Sequence, residues 1–218
     1  MPQMSQRDTC RNHRTIHEKW GFCLVLAVVS ITASCWPNGL ALLRYEHSGL
    51  IEGELWRVIS AHLVHLNVPH LLLNLSGLLL ICELLWGELP LRHGIGLLVF
   101  SGLSISAGLY WLLPDIGTYA GLSGVLHGLW AGCAIYGYQL SSNASFKSRL
   151  PFLAGAFLLG AKLFLEFLYG PSQVTEQLIG AGVLVSSHLY GALAGMVYVL
   201  MLCCVRMRAP TRGALQQQ

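Results

Sequence analysis

Gly121-Leu122-Ser123-Gly124 sets a hydroxyl in a glycine-rich frame at the head of a long apolar segment, and His188 stands near the head of another, in Ser187-His188-Leu189-Tyr190-Gly191. A serine hydroxyl is a weak nucleophile until a neighbouring base takes its proton, and histidine most often plays that part. Gly124, Gly128 and Gly132 follow the serine, and Gly191 and Gly195 follow the histidine. Small residues at four-residue spacing let two helices approach until a serine and a base can meet. His70 and Asn74, four apart, put two hydrogen-bond donors on one helix face. The chemistry these residues suggest is that of a serine nucleophile activated by a histidine base inside a membrane.

Three more polar side chains fall in apolar segments. Lys162 and Glu166, at i and i+4, are expected to pair with one another, since an unpaired charge at membrane depth is costly. His127 shares a helix face with Ser123, but helical side chains lean toward the N-terminus, so its ring is expected to approach Ser123 from beneath. That leaves His188, arriving from another segment, as the better base. His62, His65 and His70 have no carboxylate or cysteine at a familiar ligand spacing, and no metal site is read from them.

The elements that must position these groups are membrane helices. The chain has 218 residues, 54% hydrophobic and 11% charged, with a mean hydropathy of +0.58, a balance unsuited to a soluble domain. Six apolar spans are read, at 20–36, 68–86, 94–113, 119–139, 150–169 and 179–204, each near the roughly 20 residues that cross the hydrocarbon. The expected architecture is an all-α membrane bundle, with a tail at 1–19, a six-span domain at 20–204 and a second tail at 205–218. Counting from Tyr119 and Ile179 puts Ser123 roughly 6 Å and His188 roughly 13 Å along their spans. The fourth span is therefore expected to begin below the surface, in a protein-lined cavity that admits water.

Arg7, Arg11, Arg14 and Lys19 precede the first span, Arg92 lies between the second and third, Lys147 and Arg149 between the fourth and fifth, and Arg206, Arg208 and Arg212 follow the sixth. Positive charge collects on cytoplasmic loops, so both termini are expected to be cytoplasmic. The net charge of +3 is accounted for by topology, and no nucleic-acid partner is implied. The stretch from about Pro37 to Asn67 is too long and too apolar for a simple connector; with Trp56 and Arg57 it suits a loop partly submerged in the interface. Thr32-Ala33-Ser34-Cys35 is similar to a lipoprotein cleavage site, except that an aliphatic residue is wanted where Thr32 stands. The seven cysteines read as small packing residues with no disulfide framework, and Glu83 is expected to pair with Arg92 or serve structurally.

Trp56-Arg57, His65, His70 with Asn74, Gly121-Leu122-Ser123-Gly124, and His188 with Gly191 and Gly195 together resemble the rhomboid family of intramembrane serine proteases, over nearly the whole stretch from Trp56 to Gly195. The resemblance implies a six-helix rhomboid bundle with Ser123 as nucleophile, His188 as base, and His70, Asn74 and the Ser123 N–H as the oxyanion hole. His127 departs from the family's usual aromatic residue, although its planar ring could keep the stacking role. His127, Lys162 and Glu166 are assigned only to substrate binding or positioning.

The compact form and the Gly-Leu-Ser-Gly-Val-Leu-His-Gly run look most like the rhombosortase branch. That likeness implies cleavage of single-span membrane proteins near the outer end of the helix, at C-terminal Gly-Gly-tailed anchors, in a bacterial inner membrane. The site would open to the periplasmic side and use no metal or organic cofactor. Transfer of the acyl group to an amine instead of water stays open. The rival reading is a non-catalytic rhomboid-like protein that binds membrane helices for quality control; such relatives usually lack the serine or the histidine.

Overall fold

The computed structural model describes residues 6–87, 89–141 and 145–208; the remainder of the expected tails, Arg212 included, lies outside the described residues. The elements are α1 (Gln6–Cys35), α2 (Gly39–Leu43), β1 (Tyr45–Glu46), α3 (His47–Ile51), α4 (Arg57–Ser60), α5 (Val68–Leu84), α6 (Leu91–Leu112), β2 (Thr118–Tyr119), α7 (Ser123–Leu140), α8 (Phe146–Tyr169), α9 (Gln173–Ile179) and α10 (Val185–Arg208). The His17–Cys35 part of α1, α6, α8 and the Val185–Val205 part of α10 are each long and apolar enough to cross a membrane, and α5 is a shorter apolar helix. Leu24 and Val28 on α1, Leu72 and Leu79 on α5, and Phe157 and Phe164 on α8 all point outward. An apolar exterior of this extent belongs in lipid, and the chain is an integral, multi-pass membrane protein.

The centre of the bundle is α7, which packs against α5, α6, α8 and α10. Val125 and Leu129 of α7 are buried with Leu97, Ile105 and Leu109 of α6 and Val199 of α10. Glycines set the spacing between α7 and α10. A Cβ on Gly191 would lie 1.9 Å from the Gly124 carbonyl oxygen, and one on Gly195 2.0 Å from that of Gly128. Both obstacles are backbone and cannot rotate away, so Gly191→Val is expected to destabilise the fold by at least about 1–3 kcal/mol. A lowered melting temperature of the purified protein, accompanied by lost activity, is the measurement. Gly132 does not continue this seam, because a Cβ there would meet Leu97 of α6; the four-residue row drifts around the helix away from α10.

The sixth span starts later than the sequence suggests. Ile179 ends α9, a separate helix that Gly180 closes in a left-handed conformation, with its N–H bonded to the Glu176 carbonyl. The next long helix begins at Val185. His188 is then the fourth residue of α10 and Ser123 the first of α7, which reduces the expected offset in depth to roughly 4.5 Å of helical rise.

Two pairings also differ from expectation. Cys23 of α1 and Cys82 of α5 form a disulfide, although they are 59 residues apart and no local spacing marks them as partners. Glu83 meets Lys19 at 3.5 Å, because α1 packs beside α5 and brings a cation to it from the chain's N-terminal side.

The connector from Pro37 to Asn67 is ordered around buried Arg57, whose guanidinium donates to the carbonyls of Ala41 and Arg44 at 2.9 and 2.8 Å and to the Glu54 carboxylate at 2.5 Å. β1 pairs antiparallel with β2, Tyr45 opposite Tyr119. The Gly121 N–H donates to the Ala61 carbonyl at 2.9 Å. The connector thereby holds the backbone that leads into Ser123.

Candidate active site

Ser123 is the first residue of α7, and no side chain caps that end. The first N–H groups of a helix have no partner within it and carry the positive end of the helix dipole. Gly121, two residues earlier, has φ +125, a conformation a side chain would strain. It also leaves space for α5: a Cβ at Gly121 would lie 2.8 Å from His70 Nε2 and 3.8 Å from Asn74 Nδ2. The backbone entering α7 therefore runs directly over the two donors of α5.

From α10, His188 Nε2 lies 3.1 Å from Ser123 Oγ. Its other nitrogen, Nδ1, lies 2.9 Å from Glu166 Oε2 of α8, while Glu166 Oε1 pairs with Lys162. The Lys162–Glu166 pair is the one their spacing suggests, but the contact to His188 is not readable from that spacing. An ionised carboxylate can only accept hydrogen bonds, so opposite one Nδ1 would carry the imidazole proton and Nε2 would be left to accept from the serine hydroxyl. Ser123, His188, Glu166 and Lys162 are thus joined in one chain of contacts across three helices.

His127 stacks face to face on His188, with centroids 4.1 Å apart and planes 10° from parallel. Its Nδ1 donates to the Ser123 carbonyl at 2.7 Å, which holds the ring beneath the serine. His127, Glu166 and His188 bring possible metal-binding atoms within 4.8 Å of one another. An imidazole nitrogen binds metal in the ring plane, and one ion cannot lie in two stacked parallel planes. The arrangement suits stacking better than ligation.

On α5, His70 and Asn74 are buried, and His70 Nδ1 and Asn74 Nδ2 have no hydrogen-bond partner among the described residues. A buried donor left without a partner costs free energy, so the Asn74 amide calls for a role. Asn67, which the motif reading passes over, caps this helix by accepting from the His70 N–H at 2.9 Å and donates to the Ile179 carbonyl of α9 at 2.8 Å. Asn followed by Pro at the start of an apolar run is a helix-start signal that could have found it.

Two further histidines, His62 and His65, are buried beside the site and stay neutral. His65 Nδ1 contacts Ser34 Oγ of α1 at 3.3 Å, and its ring meets that of His70 edge-on at 5.0 Å. Burial, and then the neighbouring His70 ring, push its pKa down to about 3. His62 donates from Nε2 to the Gly102 carbonyl at 2.9 Å, and burial lowers its pKa to about 4. Tyr119 donates to the Gly121 carbonyl at 2.9 Å.

A family model described as the rhomboid domain matches residues 52–205, well over half of the chain. No curated protein matches it.

Proposed function

The chain belongs to the rhomboid family, and from that membership and the site geometry we propose an intramembrane serine endopeptidase that works through an acyl-enzyme on Ser123. The observation that carries this reading is the 3.1 Å contact of His188 Nε2 with Ser123 Oγ, beside a buried amide donor on Asn74 that is unpartnered among the described residues. His188 takes the hydroxyl proton as Oγ attacks the substrate carbonyl. The charge that forms on the carbonyl oxygen falls to Asn74, His70 and the Ser123 N–H. His188 then returns the proton to the leaving amine and, once water has entered, acts again as the base that releases the acyl group.

In this reading the six-span bundle is completed by α5 and α7, with the Pro37–Asn67 connector partly submerged beside it. Substrates are membrane proteins, as the family implies. The finer assignment is the rhombosortase branch, with Gly-Gly-tailed C-terminal anchors cut near the outer end of their helix. The distribution of basic residues supports cytoplasmic termini, and the rhombosortase likeness supports a bacterial inner membrane with the site toward the periplasm. A serine-directed alkyl fluorophosphonate is expected to label the purified protein, with all labelling lost in Ser123→Ala. Labelling that persists in Ser123→Ala would remove Ser123 as the nucleophile.

A further inference from the structure

We infer that Glu166 is a positioning residue that completes a Ser123–His188–Glu166 triad across α7, α10 and α8, with Lys162 orienting its carboxylate. This rests on the reading of Ser123 as nucleophile and His188 as base. A neutral imidazole has two tautomers, and only the one protonated at Nδ1 can accept the serine proton at Nε2. Glu166 Oε2, 2.9 Å from Nδ1, selects that tautomer. Its side chain is 13% exposed and that of His188 5%, so little water competes for the contact. As the proton moves from Oγ to Nε2, the imidazole becomes a cation facing a carboxylate already in place, and Glu166 itself takes up no proton.

Lys162 answers a separate need. A lone carboxylate inside a membrane bundle would be costly, and its two oxygens would be free to turn. Lys162, one helical turn earlier on α8, occupies Oε1 and leaves Oε2 for His188. Among the described residues, Ser123 and His127 from α7 and Glu166 from α8 contact His188 directly, and His70 of α5 is within electrostatic reach of it. The alternative is that Lys162 and Glu166 form an ion pair that only stabilises α8.

The test uses the full-length protein in detergent, an alkyl fluorophosphonate, and nitrogen NMR with ring-labelled histidine, the His188 signals being assigned by their loss in His188→Gln. Wild type is expected to show His188 protonated at Nδ1. Glu166→Gln, at unchanged melting temperature, is expected to slow labelling of Ser123 on the order of 10²–10⁴-fold and to move the His188 proton toward Nε2, with Glu166→Asp recovering part of the rate. A wild-type His188 protonated at Nε2 would overturn the inference without recourse to any variant. So would Glu166→Gln labelled as fast as a reactive wild type, which would leave the Ser123–His188 pair standing alone. A wild type that is not labelled at Ser123 would remove the underlying reading and the triad with it.

Discussion

His188→Ala is expected to abolish peptide cleavage, lowering kcat/KM on the order of 10⁴–10⁶-fold, whereas His127→Phe is expected to retain a measurable part. The two rings are stacked and equally buried, so their effects separate by geometry. His188 Nε2 faces Ser123 Oγ across the seam between α7 and α10. His127 faces the Ser123 carbonyl from the same helix and directs Nδ1 at it. A base must reach the hydroxyl and then the leaving amine, and only a side chain arriving from a facing helix is placed for both. Phenylalanine keeps a planar surface against His188 while giving up the bond to the Ser123 carbonyl. Cleavage of a single-span substrate in detergent, with melting temperatures to confirm folding, is the measurement. Equal and complete loss in both folded variants would assign His127 a chemical role.

Asn74→Ala is expected to lower kcat by roughly 10²–10³-fold while KM changes little. Asn74 Nδ2 is buried without a partner among the described residues and lies beside the backbone that leads into Ser123. A donor with nothing to bond in the resting state gains its partner when charge develops on the substrate oxygen. Its contribution therefore belongs to the transition state more than to substrate binding. Steady-state kinetics on a fluorogenic transmembrane peptide separates the two parameters, and a rise in KM at constant kcat would mark Asn74 as a packing residue.

The candidate site was legible wherever its signal was local. Gly121 to Gly124, His70 with Asn74, and Lys162 with Glu166 each lie within one or two helical turns, where spacing alone decides which side chains share a face. The paired glycines of α7 and α10 announced a close helix contact by their size. The start of α10 is not legible from hydropathy, because Gly180-Ala181-Gly182 extends an apolar run while its glycines also stop a helix. Gly132 faces Leu97 of α6 and not α10, since a four-residue row leaves its face after two turns.

Composition and periodicity by themselves determined that this is a helical membrane protein, and the order of its motifs indicated a rhomboid, because both properties are written along the chain. The tertiary structure decided which distant groups touch: Cys23 with Cys82, Lys19 with Glu83, the connector around Arg57, and His188 with both Ser123 and Glu166. Those contacts join helices separated by tens of residues. Their partners are set by which lipid-free faces pack together and at what depth, and no spacing within a single helix encodes that.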